Sequence, residues 1–206
     1  KTKLLIYIQQ LNTILKEDVL QLVSDDWQSQ LNTKGINHWI KSTTTPAASM
    51  LQFIVDKNWQ SIGSNDINFL PLLNKQQWRT FFSEQQQWSL IKTPTWQQQC
   101  LQTSVLTRCS KQQISYLLPQ THPQGILARQ LSRLLELVSI PEKLSFMLNE
   151  MDSGRFSFKN NKLASGEGLA VVEAARGTLV HWFKMKHNVI TDYRILAPTE
   201  WNFHPR

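Results

Sequence analysis

Arg176 and Thr199 are the side chains whose surroundings argue for shared chemistry. The stretch Gly166 to Arg206 reads GEGLAVVEAARGTLVHWFKMKHNVITDYRILAPTEWNFHPR. Within it Leu179, His181, Phe183 and Met185 alternate with Val180, Trp182, Lys184 and Lys186, the period-two pattern of a strand. His187-Asn188 breaks the alternation and Val189 to Leu196 resumes it, which predicts a β-hairpin. The Arg176-Gly177 step lies before the first strand and the Pro198-Thr199 step after the second. Pairing of those strands puts both steps at the open end of the ribbon. A guanidinium beside a hydroxyl makes a donor-rich anion pocket.

Other chemistries find less support. The histidines His38, His122, His181, His187 and His204 show no HExxH-like spacing, and Cys100 and Cys109 do not form a CxxC pair. No metal site built wholly within this chain is expected. There is no G-x-S-x-G, P-loop or GxGxxG pattern, which removes the common hydrolase and nucleotide-binding sites. Gly166-Glu167-Gly168 reads as a turn. His181, set among apolar neighbours, reads as a satisfied core histidine, and Tyr193 and Trp201 as packing residues. The net charge of +7 is scattered, without a Lys/Arg run or an aromatic RNA-binding motif. It reads as a solvated basic surface, with no nucleic-acid partner. Nothing approaches the roughly 18 consecutive apolar residues of a membrane helix, and no signal peptide opens the chain, so no membrane insertion is expected. Two cysteines are too few for a disulfide scaffold and imply a reducing cytoplasm.

The elements that must position the two residues are mostly helical. Leu4, Ile8, Leu11, Leu15, Val19 and Leu22 recur at helical spacing and predict one long amphipathic helix. Residues 30–48, polar and Thr-rich, read as a loop. A helix follows at Ala47 to Lys57, with N-caps on offer from Ser42 to Thr45. After a turn at Gly63 to Asn65, the next helix runs from Asn74 to Gln87 and carries Trp78, Phe81 and Phe82. Trp88 to Arg108 reads as an extended loop leading into a short helix, and 112–118 as another short helix closed by Pro119 and Pro123. The spacing of Leu127, Leu131, Leu134 and Val138 predicts a strong helix from Pro123 to Ser139, flanked by Arg129 and Arg133. Pro141 should kink or restart it, with Glu142 to Met151 continuing before Ser153-Gly154. Asn160-Asn161 supplies a last turn before the hairpin. With no repeat and no clear linker, the expectation is one α+β domain over residues 1–206, mostly helical, with a C-terminal hairpin or small antiparallel sheet. A chain that starts at Lys1 reads as a piece of a longer protein.

The C-terminal motifs also carry a resemblance. Glu173-Ala174-Ala175-Arg176-Gly177-x-Leu179-x-His181, followed by Pro198-Thr199-Glu200-Trp201-Asn202, resembles the C-terminal part of nickel-iron hydrogenase large subunits. Their pattern is E-A-P-R-G-x-L-x-H, a hairpin, then P-[ST]-T-W-N. Ser89 to Arg108 is similar to the family's S-W-x-K-x-P-R-[YW]…E-x-G-P-L-A-R segment. Lys92, Pro94, Trp96, Leu106 and Arg108 hold the matching places, and Gln102 stands where Glu is usual. Gly125 to Leu137 is similar to the arginine-bearing helix that follows. The likeness runs from about Ser89 to Arg206 and implies the large-subunit fold. It also implies a cofactor-binding set of Arg176, Thr199 and Pro198, in which Arg176 and Thr199 contact the cyanide ligands of an iron. A buried guanidinium and a hydroxyl satisfy such an anionic acceptor without offering a competing ligand.

The departures imply which branch. Catalytic subunits hold their metals through two CxxC pairs, one near each end of the subunit; this chain shows neither, although it stops at Arg206, before the second pair is expected. Ala175 replaces the usual proline and Glu200 the usual threonine. EAARG with APTEWNFHP is similar to accessory paralogues, the HupK-type (HoxV-like) maturation proteins, and less so to hydrogen-sensing subunits. The resemblance implies a non-enzymatic scaffold, with no cofactor resident in this stretch. In the full-length protein iron carrying cyanide and carbonyl would be held transiently. It would be passed on with maturation chaperones and the hydrogenase large subunit as partners. A fragment of a catalytic or sensory large subunit is the alternative.

Overall fold

Bulky aromatic side chains decide which segments the chain can bury. The computed structural model describes residues 1–22, 24–29, 32–84, 91–109, 124–151 and 164–205. They fall into two compact units, one of residues 1–65 and 109–156, the other of 66–108 and 157–206.

In the first unit, α1 (Thr2–Ile14) continues into a π-helical stretch (Leu15–Leu20) that ends at Gln21, whose φ is 53°. The predicted long helix is therefore present, with one widened segment. Its apolar stripe is only partly covered: Ile8, Leu15 and Leu20 are buried, whereas Leu4 is 48% exposed. After α2 (Ser24–Ser29) comes α3 (Thr33–Ser42), which corrects the reading of residues 30–48 as a loop. Its polar letters hid Ile36, Trp39 and Ile40, buried at three- and four-residue spacing. Asn32 starts the helix by accepting the Gly35 N–H at 2.9 Å. Trp39 Nε1 donates to the Leu20 carbonyl at 2.7 Å, and its ring meets Trp27 edge-on. In α4 (Pro46–Asp56), Thr45 is the expected cap, accepting from Ala48 N–H at 3.2 Å.

The predicted helix around Leu127 runs far longer than its first half. The fifth helix of this unit, Ile126–Glu150, passes through Pro141 without a restart. Proline deprives the Leu137 carbonyl of its partner, and Leu137 is 37% exposed, so that carbonyl belongs to a residue open to solvent. At its start Arg129 Nε donates to the Gln124 carbonyl at 2.8 Å. Burial, and then the neighbouring Arg133, hold the Arg129 guanidinium below its ordinary pKa. The short helix expected at 112–118 and the turns at Ser153-Gly154 and Asn160-Asn161 lie outside the described residues.

The second unit opens with α5 (Lys75–Glu84), so the first unit's long helix is α7 in chain order. A reciprocal cap starts α5: Asn74 N–H donates to Gln77 Oε1 and Gln77 N–H to Asn74 Oδ1, both at 2.9 Å. The expected residues 85–87 lie outside the described set. Of the stretch read as an extended loop, Trp88 lies outside the described residues, Ile91 and Lys92 are helical, and Trp96 and Gln99 bridge across a tight turn; the short helix expected at its end is α6 (Val105–Arg108). Then β1 (Gly166–Ala174), β2 (Gly177–Lys186) and β3 (Val189–Leu196) form an antiparallel sheet in that order, followed by α8 (Pro198–Asn202).

The β2–β3 hairpin is the predicted one. His187 and Asn188 both have positive φ, 48° and 61°, as a two-residue hairpin turn of the matching twist requires. β1 is a correction, because Gly166-Glu167-Gly168 opens a strand rather than a turn. Gly168 faces Phe183, whose ring lies 2.0 Å from where a Cβ would stand. Glycine there is what lets the aromatic ring lie across β1.

One face of the sheet presents Val180, Trp182 and Leu196 to a core with Trp78, Phe81, Phe82 and Trp201. Phe82 stacks on Trp182 with centroids 5.6 Å apart and planes at 5°, and Trp201 packs on Phe81. Arg194, 8% exposed and paired with Asp192 at 2.7 Å, sets its guanidinium 5.1 Å from the Trp182 ring. On the other face, His181 is satisfied but is not a core residue. It is half-buried, with Nδ1 2.6 Å from Tyr193 Oη across the strands. Trp182→Ala should therefore destabilise by about 3–5 kcal/mol, a cavity-sized loss, while Tyr193→Phe should change little. Urea denaturation followed by far-UV circular dichroism checks both.

Candidate functional site

The corner that holds the predicted residues is built on Thr103, 1% exposed, in the segment before α6. Thr103 Oγ1 accepts the Thr178 N–H at 3.1 Å and lies 3.3 Å from Thr178 Oγ1. Thr178 Oγ1 in turn donates to Glu173 Oε1 at 2.9 Å. Since the single proton of Thr178 goes to the carboxylate, Thr103 must donate to Thr178. The other carboxylate oxygen, Glu173 Oε2, accepts from Arg108 Nη1 at 3.0 Å. Both Glu173 oxygens are thereby occupied, in a pair with side chains 13% and 34% exposed.

Ala175-Arg176 is the turn joining β1 to β2, closed by the Ala174–Gly177 pair. Gly177 has φ +130°, and a Cβ there would lie 2.5 Å from Thr103 Cγ2, so only glycine fits. Asn202, the last residue of α8, ties the turn down. Its Oδ1 accepts the Thr103 N–H at 2.9 Å, and its Nδ2 donates to the Arg176 carbonyl at 3.4 Å.

Arg176 and Thr199 are thus brought to one end of the sheet, as the hairpin reading requires. Pro198 is buried at the first turn of α8, where its fixed φ suits a helix start. Thr199 is half-buried, and its carbonyl accepts the Phe203 N–H at 2.9 Å. The buried guanidinium that the resemblance implied is corrected: Arg176 is exposed, because it projects from a two-residue turn. No described residue makes an ion pair with it. Glu200, beside Thr199, is instead paired with Lys92 at 2.8 Å, a surface contact.

The donor set suits an anionic ligand better than a metal. Among the described residues no three His, Cys, Asp or Glu side chains are grouped to hold a metal ion. Cys100 Sγ lies 3.5 Å from His204 Nδ1 and 3.8 Å from Nε2. Neither distance singles out one ring nitrogen as the partner of the thiol, and which of them carries the proton depends on the tautomer. Gln102, where the family pattern has Glu, donates Nε2–H to the Ile67 carbonyl at 3.0 Å, which a carboxylate does not do.

The roles of Thr103, Thr178, Glu173, Arg108 and Asn202 were missed by the sequence reading. Glu173, Arg108 and Asn202 stood in the quoted motifs as letters without roles. Nothing local marks the two threonines, which meet only through the fold.

Comparison with known proteins agrees with the C-terminal motifs. A family model described as nickel-dependent hydrogenase matches residues 48–206. Hydrogenase expression/formation protein HoxV of Cupriavidus necator is 35% identical over 118 residues, which cover 54% of this chain and 29% of that protein. Hydrogenase expression/formation protein HupK of Bradyrhizobium diazoefficiens is 36% identical over 83 residues, 40% of this chain and 22% of that protein. Hydrogenase-1 large chain of Citrobacter freundii is 26% identical over 153 residues, 60% of this chain and 25% of that protein. The chain spans less than a third of the length of each. No helix among the described residues is long and apolar enough to cross a membrane.

Thr103→Val keeps the shape of the corner but leaves the buried Thr178 N–H without its acceptor. It should lower stability by about 1–3 kcal/mol in chemical denaturation. A wild-type midpoint would show that Thr103 Oγ1 is not holding β2.

Proposed function

We propose that this chain, which belongs to the nickel-dependent hydrogenase family, serves hydrogenase maturation as a non-enzymatic scaffold. On this reading the full-length protein receives iron bearing cyanide and carbonyl ligands and passes it to the hydrogenase large subunit. It works in the cytoplasm with maturation chaperones. The carrying observation is the Arg176 turn, braced by Asn202 to the helix that bears Thr199, with a guanidinium that no described carboxylate occupies. A metal-bound cyanide is an anionic acceptor, and a guanidinium and a hydroxyl suit it without competing for the metal. The printed names of HoxV and HupK, hydrogenase expression/formation proteins, support the maturation role. The iron unit is cargo here, recognised by its ligands.

A second reading is favoured by the Hydrogenase-1 large chain match, which spans 60% of this chain. It makes the chain part of a catalytic or hydrogen-sensing large subunit, which would require nickel and thiolate ligands from flanking sequence.

Infrared spectra and metal analysis of the full-length protein separate the two. Cyanide and carbonyl bands without nickel are the expected result, and bands with stoichiometric nickel would favour the second reading. Arg176→Ala and Thr199→Ala should each weaken those bands, and Arg176→Ala about tenfold or more, as expected for losing a charge-assisted hydrogen bond. Hydrogenase maturation unchanged by both substitutions would leave only an interaction domain with no metal role.

A further inference from the structure

Arg176 has an anionic neighbour that it does not use. Glu173 lies three residues before it, on β1 beside the two-residue turn to which Arg176 belongs, within the reach of so long a side chain. Left to itself, an exposed arginine beside a carboxylate pairs with it in the fork geometry that guanidinium favours. Here each carboxylate oxygen already accepts from another group, Oε1 from Thr178 Oγ1 and Oε2 from Arg108 Nη1, and the Arg108 charge offsets that of the carboxylate. The Thr178 bond is backed by Thr103, whose hydroxyl proton can only point along the chain towards Glu173. Arg108 is mostly buried, with 13% of its side chain exposed, and its short α6 follows directly on the Thr103 segment.

We propose that Arg108 is a positioning residue for the anion site: by occupying the Glu173 carboxylate, it leaves the Arg176 guanidinium available for an anionic ligand from outside the chain. This rests on the anion-binding role given to Arg176 above. Asn202 supplies the complementary restraint. It holds the Arg176 carbonyl, so the arginine side chain leaves the turn from a fixed point. Arg108 therefore acts through Glu173 and need not touch the ligand.

The test is calorimetric titration of the protein with hexacyanoferrate(II), an anionic metal–cyanide complex, at physiological ionic strength. Wild type should bind, and Arg176→Ala should lower the affinity about tenfold. Arg108→Gln should lower it about fivefold, since Glu173 is then free to capture Arg176. Adding Glu173→Gln to that variant should restore binding to within about twofold of wild type, a rescue that a purely structural role of Arg108 would not give. Glu173→Gln alone should bind as tightly as wild type or more so, and it keeps the inference testable if Arg108→Gln does not fold. Wild-type affinity in Arg108→Gln, failed rescue in the folded double variant, or weaker binding by Glu173→Gln would each overturn the inference while leaving the anion site standing. Wild-type binding that does not depend on Arg176 would overturn both.

Discussion

Thr103 is pressed against Gly177 so closely that any side chain at Gly177 would move the turn between β1 and β2. The contact joins three parts of the second unit that are far apart in sequence. Thr103 gives its N–H to Asn202 of α8, takes the N–H of Thr178 from β2, and donates its hydroxyl to Thr178 Oγ1, which itself donates to Glu173 on β1. A residue 1% exposed with these bonds cannot slide, because every displaced partner would leave a sheltered polar group unmet. The position of the Arg176 backbone follows from this contact.

Magnitude and position come from different sources in this unit. Phe81, Phe82, Trp78, Trp182 and Trp201 supply the apolar burial, where each large side chain is worth several kcal/mol. That attraction has little direction, and rings in a core tolerate small shifts better than a hydrogen-bonded chain does. The polar frame contributes less energy per contact, but it fixes angles. Trp201 and Asn202 are neighbours in α8, so the core anchor and the polar anchor of the corner sit on consecutive residues. Packing brings the helix to the sheet, and the amide then sets its register against the Arg176 turn.

What could be read in advance followed from local pattern. The β2–β3 hairpin announced itself through alternation and a His187-Asn188 turn whose residues accept positive φ. The Ser42 to Thr45 run announced a helix start through capping chemistry, and Thr45 supplies the cap. α3 was not legible, because a ten-residue helix with three apolar anchors looks polar to any reading that averages its letters. β1 was hidden for the converse reason. It is largely exposed, its alternation is weak, and Gly168 near its start makes room for Phe183. The end of the ribbon carrying Arg176 and Thr199 was legible from strand pairing. Its frame was not, since Thr103 and Thr178 are 75 positions apart and only the folded chain brings them together.

That frame bears on why a carrier, on the proposed reading, would grip its cargo by the ligands. Thiolate ligation can be very strong, with folding-coupled values on the order of 10–16 kcal/mol for structural zinc, and a group held so firmly is slow to leave. A guanidinium and a hydroxyl contribute a few kcal/mol between them. That is enough to orient an anionic complex and little enough to release it to stronger metal ligands elsewhere. The exposure of Arg176 suits the same end, because a charge that stays hydrated binds more weakly than a buried one and exchanges its partner through water. The requirement left to the fold is negative. Its own carboxylates must not fill the site, and Glu173, the acid nearest in sequence, is held by Arg108 and Thr178.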